Sequence, residues 1–535
     1  MSKTIFKLSS VTLALMGSFS VNAAIYNIYG YQPVVNPSAK TYGVAIKPES
    51  GAANCWSGTT CSQTDYEIAF EEKLYNEGFA YRDEVPFRYT LGYQLLEEGE
   101  SGFRSYCDSF LRYNKSTCSR WTKEQYNLGY EQEGSNTSFA YIESSANQVE
   151  SGNSNVIVNN FTASNDVIGT FYGDELRKRT VAYSGGVSPT LIASSVTYDQ
   201  NKVWAKTSSG SNDILVGSVT KQSTNPNDYT SHAAIWRDNG TSAETVAWQA
   251  NAAVNDRRTP HGSARDVAIV GSKTYAVGYN SDSEERPVAS VFDVDRTTLT
   301  ATSSIISRYS STSYLNSLLT SINNNGYAIG EAKYATAING SFANSLFYIT
   351  NPENPNGSFK EFSGPIFFSG ANGKAGAINN NDEVVGAIDY QTHDEVDGKQ
   401  RGQRGFIAPL NSSNTKAPLN GRAWYLDDLV NDANTNSTNN QFRVIDATDI
   451  NDAGVISGTA YYCEGGYDTL YLDSTCNGLT QGAEKIVAVK LVPIENSTAS
   501  NIQERGLEPV SIERQGASLG WFALVVIGLL GFRRK

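Results

Sequence analysis

The stretch from Ala447 to Gly454, ATDINDAG, gathers Asp449, Asn451 and Asp452 just ahead of a glycine. That is how a calcium loop begins. An EF-hand loop needs a donor at every second position, then a glycine, then a Glu six residues on. Here Ala453 holds the third donor position, and Ser457 to Ala460 brings no Glu. The segments beginning at Asp293 and spanning Asp389 to Gly398 are incomplete in the same way. The other chemistry open to such residues is the Asx turn, in which the side-chain oxygen takes a nearby backbone N–H. The turn is the reading adopted, with calcium as the alternative; no cofactor is expected.

Nucleophilic catalysis asks for a base beside its nucleophile. The three histidines are His232 at the head of a strand-like HAAIW, His261 after RRTP, and His393 in the polar QTHDEVDG. No H-E-x-x-H pair, phosphate loop or G-x-G-x-x-G precedes a helical pattern. Paired carboxylates could cleave a glycosidic bond. With 55 acidic residues in the chain, spacing alone cannot pick out a pair. The net charge of -13 repels phosphate backbones, so nucleic acid is not an expected partner.

The ends and the cysteines indicate where such a chain would work. Residues 1–23 read as a secretion leader: Lys3 and Lys7, a short apolar core, then Val21-Asn22-Ala23 before cleavage. At the other end, the 15 residues Ser518 to Phe532 carry no charge and precede Arg533, Arg534 and Lys535. As a helix they reach roughly 22 Å, short of a bilayer core of roughly 30 Å. Thinning of the bilayer would close the gap, with the basic cap cytoplasmic and the bulk of the chain outside. The six cysteines fall as Cys55/Cys61, Cys107/Cys118 and Cys463/Cys476. Local pairing is the simplest of the roughly 15 connectivities six cysteines allow. None has the C-x2-C spacing of zinc, and disulfides suit an oxidising compartment.

The elements that must position these residues emerge from a recurring glycine. FTASNDVIG, SGSNDILVG, VGSKTYAVG, INNNGYAIG, INNNDEVVG and INDAGVISG end at Gly169, Gly217, Gly278, Gly330, Gly386 and Gly458. Four places earlier stand Asn165, Asp213, Thr274, Gly326, Asp382 and Gly454, mostly residues that tolerate a left-handed hairpin turn. A short strand follows each unit, marked by Tyr183, Trp236, Phe292, Tyr348, Phe406 or Val489. The glycines stand 48, 61, 52, 56 and 72 residues apart, and repeats of this length, with three or four strands each, build a β-propeller. The fold class expected is therefore all-β: a propeller of about six or seven blades made of degenerate repeats. Thr41 to Gly51 with VPFRYT is the candidate for a diverged seventh unit, and the N-terminal strand is the candidate to close the ring. The box S-x-D-x-G-x-T-W of sialidase-like propellers is missing.

The unit A-x-x-I-N-x-x-G-x-x-x-G, clear at Ile322 to Gly330, Ile378 to Gly386 and Ile450 to Gly458, resembles the extracellular HAF repeat. With the leader, the cysteines and the tail, the chain resembles a family of Gram-negative proteins carrying domain of unknown function 3466. The tail itself resembles GlyGly-CTERM sorting signals, with Gly516-Ala517-Ser518 in place of the glycine pair. The resemblance implies location and architecture, since the family has no assigned chemistry.

The resulting layout is a leader at 1–23 and a first blade at 24–150 holding a disulfide-stapled insertion rich in Tyr and Glu. The propeller repeats follow at 151–497, then a linker at 498–517 and a membrane or sorting segment at 518–535. Helix is expected around Phe103 to Tyr126. The function expected is that of an exported, non-enzymatic binding or structural scaffold, meeting a surface protein or glycan and anchored through its tail. The alternative is a secreted hydrolase that uses paired carboxylates on polysaccharide.

Overall fold

The computed structural model describes residues 24–509 apart from short internal stretches, the longest being 76–98 and 186–197. The leader and the 518–535 tail lie outside the described residues.

Seven antiparallel sheets of three or four strands follow one another in chain order. Their first strands are Lys40–Ile46, Ile157–Phe161, Gln200–Lys206, Gly262–Val270, Tyr314–Ile322, Gly373–Ile378 and Phe442–Ile450. Each packs beside the first strand of the next sheet, and the last packs beside the first. The sheets are thus blades 1 to 7 of a closed propeller, with the first strands innermost. Apolar side chains from neighbouring blades fill the space between them. Val277 and Val291 of blade 4, for example, share one cluster with Leu319 and Phe347 of blade 5.

Closure uses the N-terminal strand, as the sequence suggests. Tyr26–Tyr31 runs antiparallel to Glu484–Pro493, with Tyr26 opposite Pro493 and Tyr31 opposite Ala488. The last blade is therefore built from both ends of the chain. Lys490, buried in that blade, reaches Glu143 of blade 1 at 2.5 Å, and Tyr31 donates to the same carboxylate at 2.6 Å.

The recurring glycines have a common mechanical reason. All six lie in second strands, and in each case the inner strand opposite carries a bulge. A bulge adds an unpaired residue and bends its strand. The bend drives an inner-strand carbonyl against the second strand. A Cβ at any of the six positions would lie 1.8–2.4 Å from that oxygen. Aromatic rings then cover the bare glycines: Tyr183, Phe347 and Phe406 stand opposite Gly169, Gly330 and Gly386.

Three expectations shift in detail. The left-handed turn residue is Gly326, Asp382 and Gly454 as read, but Asn212 in blade 3 and Gly271 in blade 4. Blade 4 has longer strands and a tighter hairpin, which places Thr274 in the strand Lys273–Ser281; Asn165 lies outside the described residues. In blade 5 Phe347, not Tyr348, is the fully buried aromatic. Blade 1 takes its second and third strands from Ile68–Lys73 and Ser138–Ile142. The second strand, IAFEEK, is buried along its whole length, while VPFRYT lies outside the described residues.

The insertion leaves blade 1 between those two strands. Its helices Gly99–Tyr106 and Lys115–Thr122 each continue into a π-helical turn, and the Cys107–Cys118 disulfide ties them together. Asn114 caps the second helix by accepting from Thr117 N at 2.8 Å. Phe103, Tyr106, Tyr113, Trp121 and Tyr130 form its small core, so much of the tyrosine content is spent on packing. The other two disulfides are Cys55–Cys61 and Cys463–Cys476.

The segment read as a linker begins as docked chain. Arg505 is buried, with its N–H on Asp428 at 2.7 Å and its Nε on the Asp427 carbonyl at 2.8 Å. Arg404 of blade 6 pairs with the Asp427 carboxylate at 3.0 Å.

Candidate binding site in the capped channel

The bulges decide what lines the central channel. The extra residue of each inner strand is Val44, Asn159, Trp204, Arg265, Thr320, the pair Gly376-Ala377, and Thr448, taking blades 1 to 7 in turn. All of them face one cavity of about 510 Å³. Tyr106, Leu111, Tyr113, Trp121 and Gln125 of the insertion close its far end. A second cleft of about 1000 Å³ runs between the insertion, blade 6 and the Cys463–Cys476 segment. Gln125, Lys374, Gln400 and Gln403 belong to both, so the cleft opens into the channel.

The bulge positions differ round the ring. Those of blades 5, 6, 7 and 1 are the small Thr320, Gly376, Ala377, Thr448 and Val44, with Lys374 and Gln403 of blade 6 beside them, while blades 2 to 4 contribute Asn159, Trp204 and Arg265. The Arg265 guanidinium lies 4.0 Å from the Trp204 ring centroid, a cation–π stack.

Carboxylates are present, and each is bound into the ring. Asp266 of blade 4 accepts from Ser321 Oγ at 2.7 Å and Ile322 N at 2.8 Å, both in blade 5. Asp449 of blade 7 accepts from Ile46 N of blade 1 at 2.9 Å and from its own neighbour Ile450 N at 2.9 Å. Glu331 of blade 5 accepts from Ala375 N of blade 6 at 3.1 Å. These bonds fasten each blade to the next and satisfy N–H groups that the bulges free.

The Asp449–Gly454 stretch is accounted for in the same terms. Asn451 Oδ1 accepts from Ala453 N at 3.2 Å and Val455 N at 3.0 Å, the Asx turn expected. Its Nδ2 donates to Lys47 O at 3.1 Å in blade 1. The equivalent Asn323 donates to Asn379 O at 2.9 Å, and Asn379 to Asn451 O at 3.0 Å. The repeated asparagine is thus a rung between successive blades. Asp452 accepts from Asn380 N at 2.7 Å, again across a blade junction. The three side chains serve three different junction contacts, and among the described residues no cluster of three or more His, Cys, Asp or Glu could hold a metal.

The histidines fall outside the channel lining. His232 stacks on Trp248 with centroids 3.9 Å apart, and His393 is half-buried with Nε2 at 3.1 Å from Lys399 O. His261 brings a surprise: its Nδ1 is 3.2 Å from Ser231 Oγ, a pairing hidden by a separation of 30 residues. A triad would set a carboxylate behind the imidazole. Here Nε2 meets Thr259 Oγ1 at 2.8 Å, and Ser231 Oγ already accepts from Gly262 N at 3.3 Å.

Burial raises the pKa of Asp266 to about 6 and those of Asp389, Asp428 and Asp449 to about 7, from 3.8, against the pull of their N–H donors. A carboxyl whose pKa is higher folded than unfolded binds more proton in the folded state. Stability then falls as pH climbs through the interval between the two values. His232 works in reverse, since burial pulls its pKa below 6.5 and stability falls as pH drops beneath that value. Burial raises the Glu383 carboxyl as well, so among the described residues five carboxyls oppose one histidine, and calorimetry of the full chain is expected to give a midpoint several degrees higher at pH 5 than at pH 8. Equal midpoints, or a higher one at pH 8, contradict this.

Fold and site together define a closed seven-bladed β-propeller with a lidded channel. Residues 311–535 match the family described as protein of unknown function (DUF3466). No curated protein matches the chain. Among solved structures, the β-propeller domain of the Trilobed protease from Pyrococcus furiosus is 12% identical, with 50% of this chain and 65% of that chain covered at a TM-score of 0.25. The match thus spans just under two thirds of that chain. A thermostable family-43 glycoside hydrolase is 10% identical, covering 53% and 87% at a TM-score of 0.25. An α-L-arabinanase of Penicillium chrysogenum complexed with arabinobiose is 10% identical, covering 54% and 92% at 0.26. At these scores the likenesses carry no argument about activity.

Proposed function

We propose that the chain is an exported, non-enzymatic binding scaffold whose ligand occupies the lidded channel. The observation that carries the reading is the use of the channel carboxylates. Asp266, Glu331 and Asp449 each accept a backbone N–H from the following blade, so removing any of them loosens the ring. The leader and the three disulfides, in a chain without free cysteines among the described residues, support export. The HAF-like repeat pattern and the 518–535 tail favour a periplasmic or outer-surface location, held by or processed through that tail. Among the described residues no helix is long and apolar enough to cross a membrane.

A second reading, a polysaccharide hydrolase, draws on one feature: Asp266 and Asp449 share the channel, and the charge of Asp266 helps raise the pKa of Asp449. Raised carboxyls are what a general acid needs. Fractionation separates location from activity. The full chain is expected to be protease-accessible in intact cells after outer-membrane permeabilisation and to leave the membrane fraction when Ser518 to Lys535 are deleted. Cytoplasmic recovery, or unchanged fractionation of the deletion variant, sinks the export and anchoring parts of the reading.

A further inference from the structure

We infer that the channel wall formed by Asn159, Trp204 and Asn316 is a binding site for a neutral saccharide of roughly one or two rings. The inference rests on the binding-scaffold reading and specifies its ligand. Asn316, in the inner strand of blade 5, is 2% exposed, and among the described residues neither its Nδ2 nor its Oδ1 has a hydrogen-bond partner. Asn159 spends its Nδ2 on Val203 O at 2.7 Å, and its Oδ1 has none among the same residues. Trp204 Nε1 is buried and likewise without one among them. All three side chains face the channel, from blades 2, 3 and 5. Buried polar atoms of folded proteins are nearly always hydrogen-bonded, and several orphans in one cavity imply a polar occupant.

The kind of occupant follows from the count. Trp204 Nε1 and Asn316 Nδ2 are donors; Asn159 Oδ1 and Asn316 Oδ1 are acceptors. These four atoms match hydroxyl groups, each of which both gives and takes, and the Arg265 guanidinium in the same lining adds donors that hydroxyl oxygens can also meet. A phosphate could use only the donors, and an ammonium only the acceptors. Arg265 covers one face of the Trp204 ring at 4.0 Å, which fixes the indole beside the amides. The opposite wall of Gly376, Ala377, Thr448 and Val44 leaves room, and about 510 Å³ lies inside the range of small-molecule sites.

The test is isothermal titration of the full chain with cellobiose, maltose, lactose and, as the charged control, glucose 6-phosphate. At least one neutral disaccharide is expected to bind more tightly than the phosphate. Asn316→Leu should weaken it at least about tenfold, since loss of one partner strands the ligand's own polar group. Trp204→Phe should weaken it less. The thermal midpoint of Asn316→Leu should hold or rise, because an orphaned amide is replaced by an apolar group of similar size. A fallen midpoint with unchanged affinity would assign Asn316 to the fold and overturn the inference. So would the absence of binding by any neutral sugar, which leaves the orphans to water. In that case, an intact fractionation result keeps the scaffold reading standing without the saccharide.

Discussion

Gly278→Val is expected to destabilise the propeller by more than about 3 kcal/mol, the range reserved for overpacking that the backbone cannot relieve. A Cβ there would sit 2.0 Å from Ser263 O and 3.0 Å from Ala264 Cα, both backbone atoms of the bulged inner strand. No rotamer change helps, because the first side-chain atom is the one that collides. The clash could be relieved only by removing the bulge, and that would withdraw Arg265 from the channel. The control lies in the same blade. Gly271 has φ +62 with nothing near its absent Cβ, and Asn tolerates that conformation. Gly271→Asn is therefore expected to stay within about 0.5 kcal/mol of the parent. Urea titrations of both variants decide it: a Gly278→Val midpoint matching Gly271→Asn would show that the glycine is dispensable.

Deleting residues 25–31 behind an intact leader should have a comparable effect. Ile25, Tyr26 and Ile28 are buried, and each contributes about 1.5–3 kcal/mol through burial. Together they approach the about 5–15 kcal/mol that separates most folded domains from unfolding. The strand also covers the edge of blade 7, and Tyr26 donates to Gly454 O at 3.1 Å while its ring meets Trp56 edge-on. Without it, Glu484–Pro493 becomes an open edge, the kind that templates aggregation. The truncated chain is expected to melt far lower or to aggregate. A synthetic peptide covering residues 24–33, added during refolding, should restore the cooperative transition. A truncated chain with the parent's melting curve would refute strand closure as a source of stability.

How much of this could be read in advance varies along the chain. The ring and its closure were legible because turn, short strand and glycine recur at a nearly constant offset. The Asx turn at Asn451 was legible for the same reason, since its siblings keep the asparagine and lose the acids. The purpose of the glycine was not. Hairpin geometry explains a residue at the turn, whereas Gly458 sits inside a strand, opposite a bulge that only pairing registers reveal. One signal was available. Asn159, Thr320, Gly376 and Thr448 stand ten places before Gly169, Gly330, Gly386 and Gly458, and Trp204 and Arg265 stand thirteen places before Gly217 and Gly278. Reading the chain at those offsets would have collected most of the channel lining. The inner strand of blade 1 was legible at Thr41, but its second strand was not, because Phe70 and Ala69 face the bulge with no glycine to mark it. Arg505 and the Ser231–His261 contact were missed because each depends on partners from distant strands.

The central claim is that the channel binds without turnover. Its most direct measurement follows bound ligand and new reducing ends together, in one incubation of the full chain with a polysaccharide mixture and the disaccharide panel. The account predicts saturable binding, no reducing ends above the protein-free blank, and no change in either on Asp449→Asn at a temperature where that variant is folded. Reducing ends that accumulate with the parent and vanish with Asp449→Asn would contradict it and make the channel an active site.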